Sequence, residues 1–166
     1  MTDKKHLFAD DAIEKLRELT EGNTAMLVTH TGSSKIQARP MSTVQTDELG
    51  HIFFLSDRTS NQNSEIKENP KVDLLYANND GSFCTVRGEA EISANQALID
   101  ELWSPMAKAW FTEGPNDPRV SVLRVIPEDA YYWDTKHGKL VSFLKIAVGA
   151  ATGITMDDGI QGQMHV

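Results

Sequence analysis

The chain has 166 residues, 40% of them hydrophobic, and carries a formal net charge of −8 with a pI near 5.0. That size suits one domain with one core, and the acidic balance excludes nonspecific nucleic-acid binding, which needs a basic footprint. The lone cysteine, Cys84, forms no internal bridge and reads as a small core residue in a reducing compartment. The opening MTDKKHLFADD has no apolar signal core, and no run approaches the roughly 20 apolar residues that span a bilayer. A cytoplasmic protein with no membrane partner is expected.

In chain order, Asp10 or Asp11 caps a helix to about Thr20, with Ile13, Leu16 and Leu19 at helical spacing, and Glu21-Gly22-Asn23 ends it. Thr24–His30 is a short apolar strand, followed by a turn at Thr31–Ser34. Lys35–Thr46 alternates as one long strand, in which Pro40 marks a bulge or an unpaired position because it cannot donate. A turn at Asp47–Gly50 leads to a third strand, His51–Ser56. Ser60 caps a short helix through Lys67 that stops before Asn69-Pro70. Val72–Tyr76 and Ser82–Ser93 are strands four and five, with a turn at Asn78–Gly81 and a bend at Gly88. Asn95–Leu102 is helical, Pro105 opens a second turn, and Gly114–Pro118 is loop. Val120–Asp134 is a long strand or a strand pair broken near Pro127, Lys139–Ala150 a last amphipathic helix, and the polar, Gly-rich tail beyond Gly153 is frayed. About six strands joined mostly by short turns favour a mainly β, closed or partly closed antiparallel barrel over a parallel sheet. The core runs from about residue 11 to 150, within a single domain.

Most catalytic signatures are absent. The chain has no phosphate-binding G-x-x-x-x-G-K-[ST] loop, no G-x-G-x-x-G turn and no G-x-S-x-G elbow. One cysteine and five scattered histidines give no zinc spacing, and His30 and His51, beside turns, read as solvated loop residues. No pair of carboxylates stands out as acid–base machinery.

The informative stretch is Ala38-Arg39-Pro40-Met41-Ser42, then the third strand, then Ser56-Asp57-Arg58-Thr59-Ser60-Asn61-Gln62. If the two strands form a hairpin, Arg39 and the loop after Ser56 meet at one end of the sheet. Arg39, Arg58 and Lys67 would supply positive charge, Thr59, Ser60, Asn61 and Gln62 neutral donors, and the helix start free backbone N–H groups. This is a phosphate cradle or a solvated edge with a polar capping loop, and spacing alone favours the edge. A second stretch, Leu102-Trp103 to Phe111-Thr112-Glu113-Gly114-Pro115, places Trp103 and Trp110 at helix-like spacing. Such aromatics stack on a flat ring, fill a dimer interface or pack a core, as do Tyr131-Tyr132-Trp133.

Together ARPM, FFLSDRTS, ENPKVDLLY, GEAEI, WSPMAKAWFTEGPNDPRV and AYYWD resemble the general stress protein 26 group of the pyridoxamine 5'-phosphate oxidase-like split-barrel flavoproteins, from about Asp11 to Ala150. The resemblance implies a six-stranded antiparallel split β-barrel that forms a homodimer, with FMN in clefts between subunits and an unknown redox partner. It implies that Arg39, Pro40, Met41 and Ser42 line the flavin edge, that Phe54, Leu55 and Ser56 run beneath the ring, and that Ser60 with neighbours Arg58, Thr59 and Gln62 holds the phosphate. Lys67 would compensate charge and Trp110 would approach from the partner subunit. Members commonly carry Lys two residues after the loop serine, where this chain has Gln62, a donor without charge assistance. The function implied is a stress-related flavin oxidoreductase. The alternatives are a non-catalytic flavin binder or carrier and a cofactor-free dimeric interaction module.

Overall fold

The structure, a computed structural model, describes residues 3–4, 7–32, 35–135 and 159–165. Two short strands, β1 (Asp3–Lys4) and β2 (Leu7–Phe8), precede α1 (Ala9–Thr20). There follow β3 (Thr24–His30), β4 (Ile36–Ser42), β5 (Gln45–Thr46), β6 (Ile52–Asp57), α2 (Asn61–Glu68), β7 (Lys71–Ala77), β8 (Phe83–Ser93) and α3 (Gln96–Leu102). Two short 3₁₀ turns, Pro105–Ala109 and Gly114–Asn116, lead to β9 (Val120–Thr135), and β10 (Gly159–His165) closes the described chain.

The strands form one curled sheet in the order β1-β10-β9-β8-β7-β3-β4, with β6 paired to β9 and β5 to β6. The first part of β9, Val120–Val125, lies between β6 and β8, and its later part, Ala130–Thr135, pairs with β10. One strand thus serves two stretches of sheet, which is what splits the barrel. All pairings are antiparallel except β1 and β2 against β10. The architecture is the expected mainly β split barrel. Its six expected strands are β3, β4, β6, β7, β8 and β9, to which the structure adds β10 and the two-residue strands β1, β2 and β5.

Alternation explains the core. Inward residues Ala25 and Leu27 of β3, Phe54 of β6, Val72 and Leu74 of β7 and Val86 of β8 fill the barrel, and Leu16 and Leu19 of α1 plug one end. Cys84 lies in this core, as expected, and burial pushes its thiol up to about 12, so it stays protonated and inert at neutral pH. A smaller cluster, Phe53, Ile99, Leu102, Ala107, Phe111, Val120 and Val122, packs α3 and the first 3₁₀ turn against the outer side of β6 and β9. No helix among the described residues is long and apolar enough to cross a membrane.

Several expectations need correction. The long strand at 35–46 is divided, because Thr43 and Val44 leave β4: the Thr43 N–H donates to Asn23 O and the Val44 N–H to Phe53 O. Pro40 is neither bulged nor unpaired in register; it sits opposite Met26 on an edge strand, where a missing donor costs nothing. The strand at 120–134 is continuous. Pro127 faces Gly88 at a register shift, so the irregularity becomes a bulge instead of a break. Glycine 114 opens a short 3₁₀ turn where a plain loop was expected. The tail beyond Gly153 contains β10, which is held by β9 and buries Met164 completely. The expected helix at 139–150 lies outside the described residues. Finally, His30 and His51 are not simply solvated: His30 Nε2 lies 2.7 Å from Asp73 Oδ2, and His51 Nδ1 lies 3.2 Å from Asp47 Oδ2.

Candidate functional site

The candidate site is built around the start of α2. Ser60 terminates the loop after β6 and caps the helix, its Oγ accepting from the Asn63 N–H at 3.2 Å. Such a cap leaves the first backbone N–H groups of the helix without intrahelical acceptors and leaves the Ser60 hydroxyl proton available to donate. Gln62, in the first turn, is only 5% exposed, yet its Nε2 has no hydrogen-bond partner among the described residues. A buried primary amide with two unused protons is an unfavourable arrangement unless an acceptor comes to it.

Three residues on, and therefore on the same face of α2, Glu65 reaches across to the sheet. Its Oε2 accepts from Thr29 Oγ1 of β3 at 2.5 Å and from both Nη1 and Nη2 of Arg39 of β4 at 2.8 Å. Burial opposes ionisation of Glu65, but the bonds from Thr29 and Arg39 and the guanidinium charge outweigh it and hold the carboxyl below its usual range. Glu65 is thus an anion at neutral pH, paired with Arg39. The structure brings Arg39 and the helix together, but the expected hairpin forms only at its turn end, between β5 and β6, while β4, which carries Arg39, pairs with β3.

The other expected residues divide by what already engages them. Thr59 is exposed, and its hydroxyl and backbone N–H both donate to Asp57 Oδ1, at 2.7 and 2.8 Å, so its side-chain proton is spent. Asp57 is held low by those bonds, helped by the charge of Arg119. Arg58 donates from Nη2 to Val120 O at 3.0 Å, tying the loop to β9. Lys67 is exposed in the last turn of α2, about 9 Å along the axis from its first residue, too far to share the cradle. Phe54 is fully buried in the barrel core, Leu55 packs against the smaller cluster, and Met41 packs on the main core. Pro40 and Ser42 are exposed on β4.

Ser56 points inward, into a buried polar group that sequence reasoning missed. Its Oγ lies 2.9 Å from Ser121 Oγ, and Asn63 Nδ2 donates to Ser121 Oγ at 3.0 Å. This links α2 to both β6 and β9 and fixes the angle at which the helix starts. Ser121→Ala removes the shared centre and leaves the Asn63 amide unpaired, so a loss of about 1–3 kcal/mol in urea unfolding is expected. A change within 0.3 kcal/mol would show that the helix is anchored elsewhere.

The aromatic stretch separates into two roles. Trp103 packs on the smaller cluster with its ring 6.4 Å from Phe111, whereas Trp110 and Met106 remain 64% and 71% exposed. Arg119 holds this segment to the α2 loop: it donates to Trp110 O at 3.3 Å, pairs with Asp117 at 2.8 Å, and its Nη1 lies 3.7 Å from Asp57 Oδ2. Of the Tyr131–Trp133 triplet, Tyr132 is buried and Trp133 projects outward, 4.7 Å from the ring of Tyr131.

A small phosphate ester fits the donor set at α2: an orphaned buried amide, a helix start, a serine hydroxyl and the outer N–H groups of Arg39 are all donors.

Comparison with known proteins agrees with this architecture. Protein bli-3 of Neurospora crassa is 26% identical over 156 residues, covering 87% of this chain and 75% of that protein. A structure described as general stress protein 26 from Jannaschia sp. CCS1 superposes with a TM-score of 0.73 at 26% identity, covering 93% of this chain and 95% of the other. The general stress FMN/FAD binding protein of Xanthomonas citri has the same fold, with a TM-score of 0.63 at 24% identity over 74% of this chain and 87% of its own. The family model described as pyridoxamine 5'-phosphate oxidase like matches residues 11–157. The chain belongs to the pyridoxamine 5'-phosphate oxidase-like family.

Proposed function

We propose that the protein binds a flavin nucleotide, FMN, with its phosphate at the start of α2, and acts as a homodimeric flavin-dependent oxidoreductase. The observation that carries this reading is the buried Gln62 amide, without a partner, at a capped helix start beside Arg39. The Xanthomonas citri relative, described as FMN/FAD binding, supports the choice of ligand.

Gln62, the Ser60 hydroxyl and the first N–H groups of α2 would hold the phosphate, with Arg39 at its side. The β4 edge at Pro40–Ser42 would lie along the flavin, and β6 would support the site, with Phe54 inside the barrel and Leu55 on its outer side. When bound, flavin supplies reversible hydride or electron acceptance; the protein contributes binding, orientation and exclusion of water. Lone Trp110, exposed and free to stack, would cover the ring in a partner subunit.

A second copy has a surface to meet. On the outer face of the sheet Met26 lies opposite Leu75, and Phe83 opposite Trp133, each of them 39–49% exposed. An apolar row of this kind on a sheet is a natural self-complementary contact.

Fluorescence titration with FMN and with riboflavin, which lacks the phosphate, tests the reading. FMN is expected to bind more tightly than riboflavin, and Arg39→Ala to weaken FMN at least about tenfold while sparing riboflavin. Equal, weak binding of both would remove the phosphate site. Reduction of bound flavin by NADH or NADPH above the free-flavin rate separates an oxidoreductase from a carrier.

A further inference from the structure

We propose that Glu65 limits the affinity of this site for phosphate by holding Arg39 in an internal ion pair, which makes the nucleotide exchangeable instead of resident. This rests on the flavin-nucleotide reading above and names the residue that tunes it.

The geometry carries the argument. Both terminal nitrogens of Arg39 point at one oxygen of Glu65, at 2.8 Å each, so the guanidinium meets the carboxylate end-on. Thr29 adds a third donor to that same oxygen, at 2.5 Å. The carboxylate is therefore fixed from two strands and sits on the face of α2 that also carries Gln62. An arriving phosphate would find Arg39 already neutralised, its two best-aimed protons committed, and a fixed negative charge within one side chain's length.

The direct donor on that face is Gln62, which is neutral. Arg58 donates to the backbone of β9, and Lys67 lies at the far end of the helix. The side-chain charges of Arg39 and Glu65 sum to zero, so the outer N–H groups of Arg39 meet a dianionic phosphate with their charge already offset, and the neutral donors and the helix start carry more of the hold. Charge-assisted bonds are roughly twice as strong as neutral ones, and their shortage lowers affinity for the phosphate without touching the ring.

Glu65→Gln isolates the charge, because glutamine keeps an oxygen that accepts from Arg39. FMN and riboflavin are titrated onto wild type, Glu65→Gln and Gln62→Lys, each checked for folding by thermal melting. The expected result is FMN binding at least about tenfold tighter for Glu65→Gln, with riboflavin unchanged. Gln62→Lys, which adds a cation without replacing Arg39 or Glu65, is expected to tighten FMN by a similar factor, and Glu65→Ser, which also removes the carboxylate, takes the place of Glu65→Gln if that variant does not fold. Weaker FMN binding in Glu65→Gln would overturn the proposal, since Glu65 would then be orienting Arg39 for the ligand. So would no gain in Gln62→Lys. Failure of all three proteins to bind either flavin, or FMN no tighter than riboflavin throughout, would instead remove the underlying flavin reading and the proposal with it.

Discussion

Gln62→Glu is expected to weaken FMN binding about 100-fold while leaving riboflavin binding within about twofold. The substitution is nearly isosteric, so packing at a residue that is only 5% exposed hardly changes. Chemistry changes completely. The Nε2 that lacks a partner becomes an oxygen, a donor of two protons becomes an acceptor, and an anion is created three residues from ionised Glu65. A phosphate brought to this helix start would lose one bond and meet two carboxylates. Isothermal titration with both flavins reads the effect, and a thermal melt separates it from unfolding. Parallel losses for FMN and riboflavin would place Gln62 beneath the ring or in the scaffold, not at the phosphate.

Gly88→Ala is expected to cost about 3 kcal/mol, at the upper end of what overpacking usually does, and to lower Tm by about 6–12 °C in a domain of this size. A Cβ at position 88 would stand 2.2 Å from Ile126 O, 2.9 Å from Ile126 C and 3.1 Å from Pro127 Cα. These are backbone atoms of the neighbouring strand, so no side chain can swing aside. Relief would require β8 and β9 to separate where the register shifts between Arg87 and Gly88, next to the residues that pair β9 with β6. Differential scanning calorimetry gives the answer. A Tm within 1 °C of wild type would mean that the bulge absorbs the methyl group by sliding.

Much of the fold was readable because the signals are local. The alternation in TAMLVTH and VDLLY, the Ser60 cap and the Asn69-Pro70 stop each specify an element without reference to anything distant, and β3, β7 and α2 stand where they were expected. Gly88, read as a bend, stands at the register shift between β8 and β9. What failed was pairing. The segment after Ser42 looks like a continuation of β4, but Thr43 turns away because its N–H is taken by Asn23 O and its hydroxyl lies 2.8 Å from Tyr76 Oη, partners that no window around residue 43 contains. Strand β10 was hidden for a related reason: GIQGQMH has little apolar periodicity of its own and becomes a strand by lying on β9.

The site shows the same division. Arg39 and the α2 loop were legible as residue types that hold phosphate. Their actual connection runs through Glu65, 26 residues from Arg39 and 36 from Thr29, in a helix whose glutamates look like ordinary solvent-facing charges. Thr59 and Lys67 suit the chemistry by type, yet the hydroxyl of one already donates to Asp57 and the other stands at the wrong end of the helix. Composition names the donors; only the fold says which are free.

A crystal structure of the protein soaked or grown with FMN bears most directly on the central claim. The account predicts the phosphate at the start of α2, with an oxygen within about 3 Å of Gln62 Nε2 and the ring along β4. Density for the phosphate elsewhere on the barrel, with the Gln62 amide still unpartnered, would contradict it.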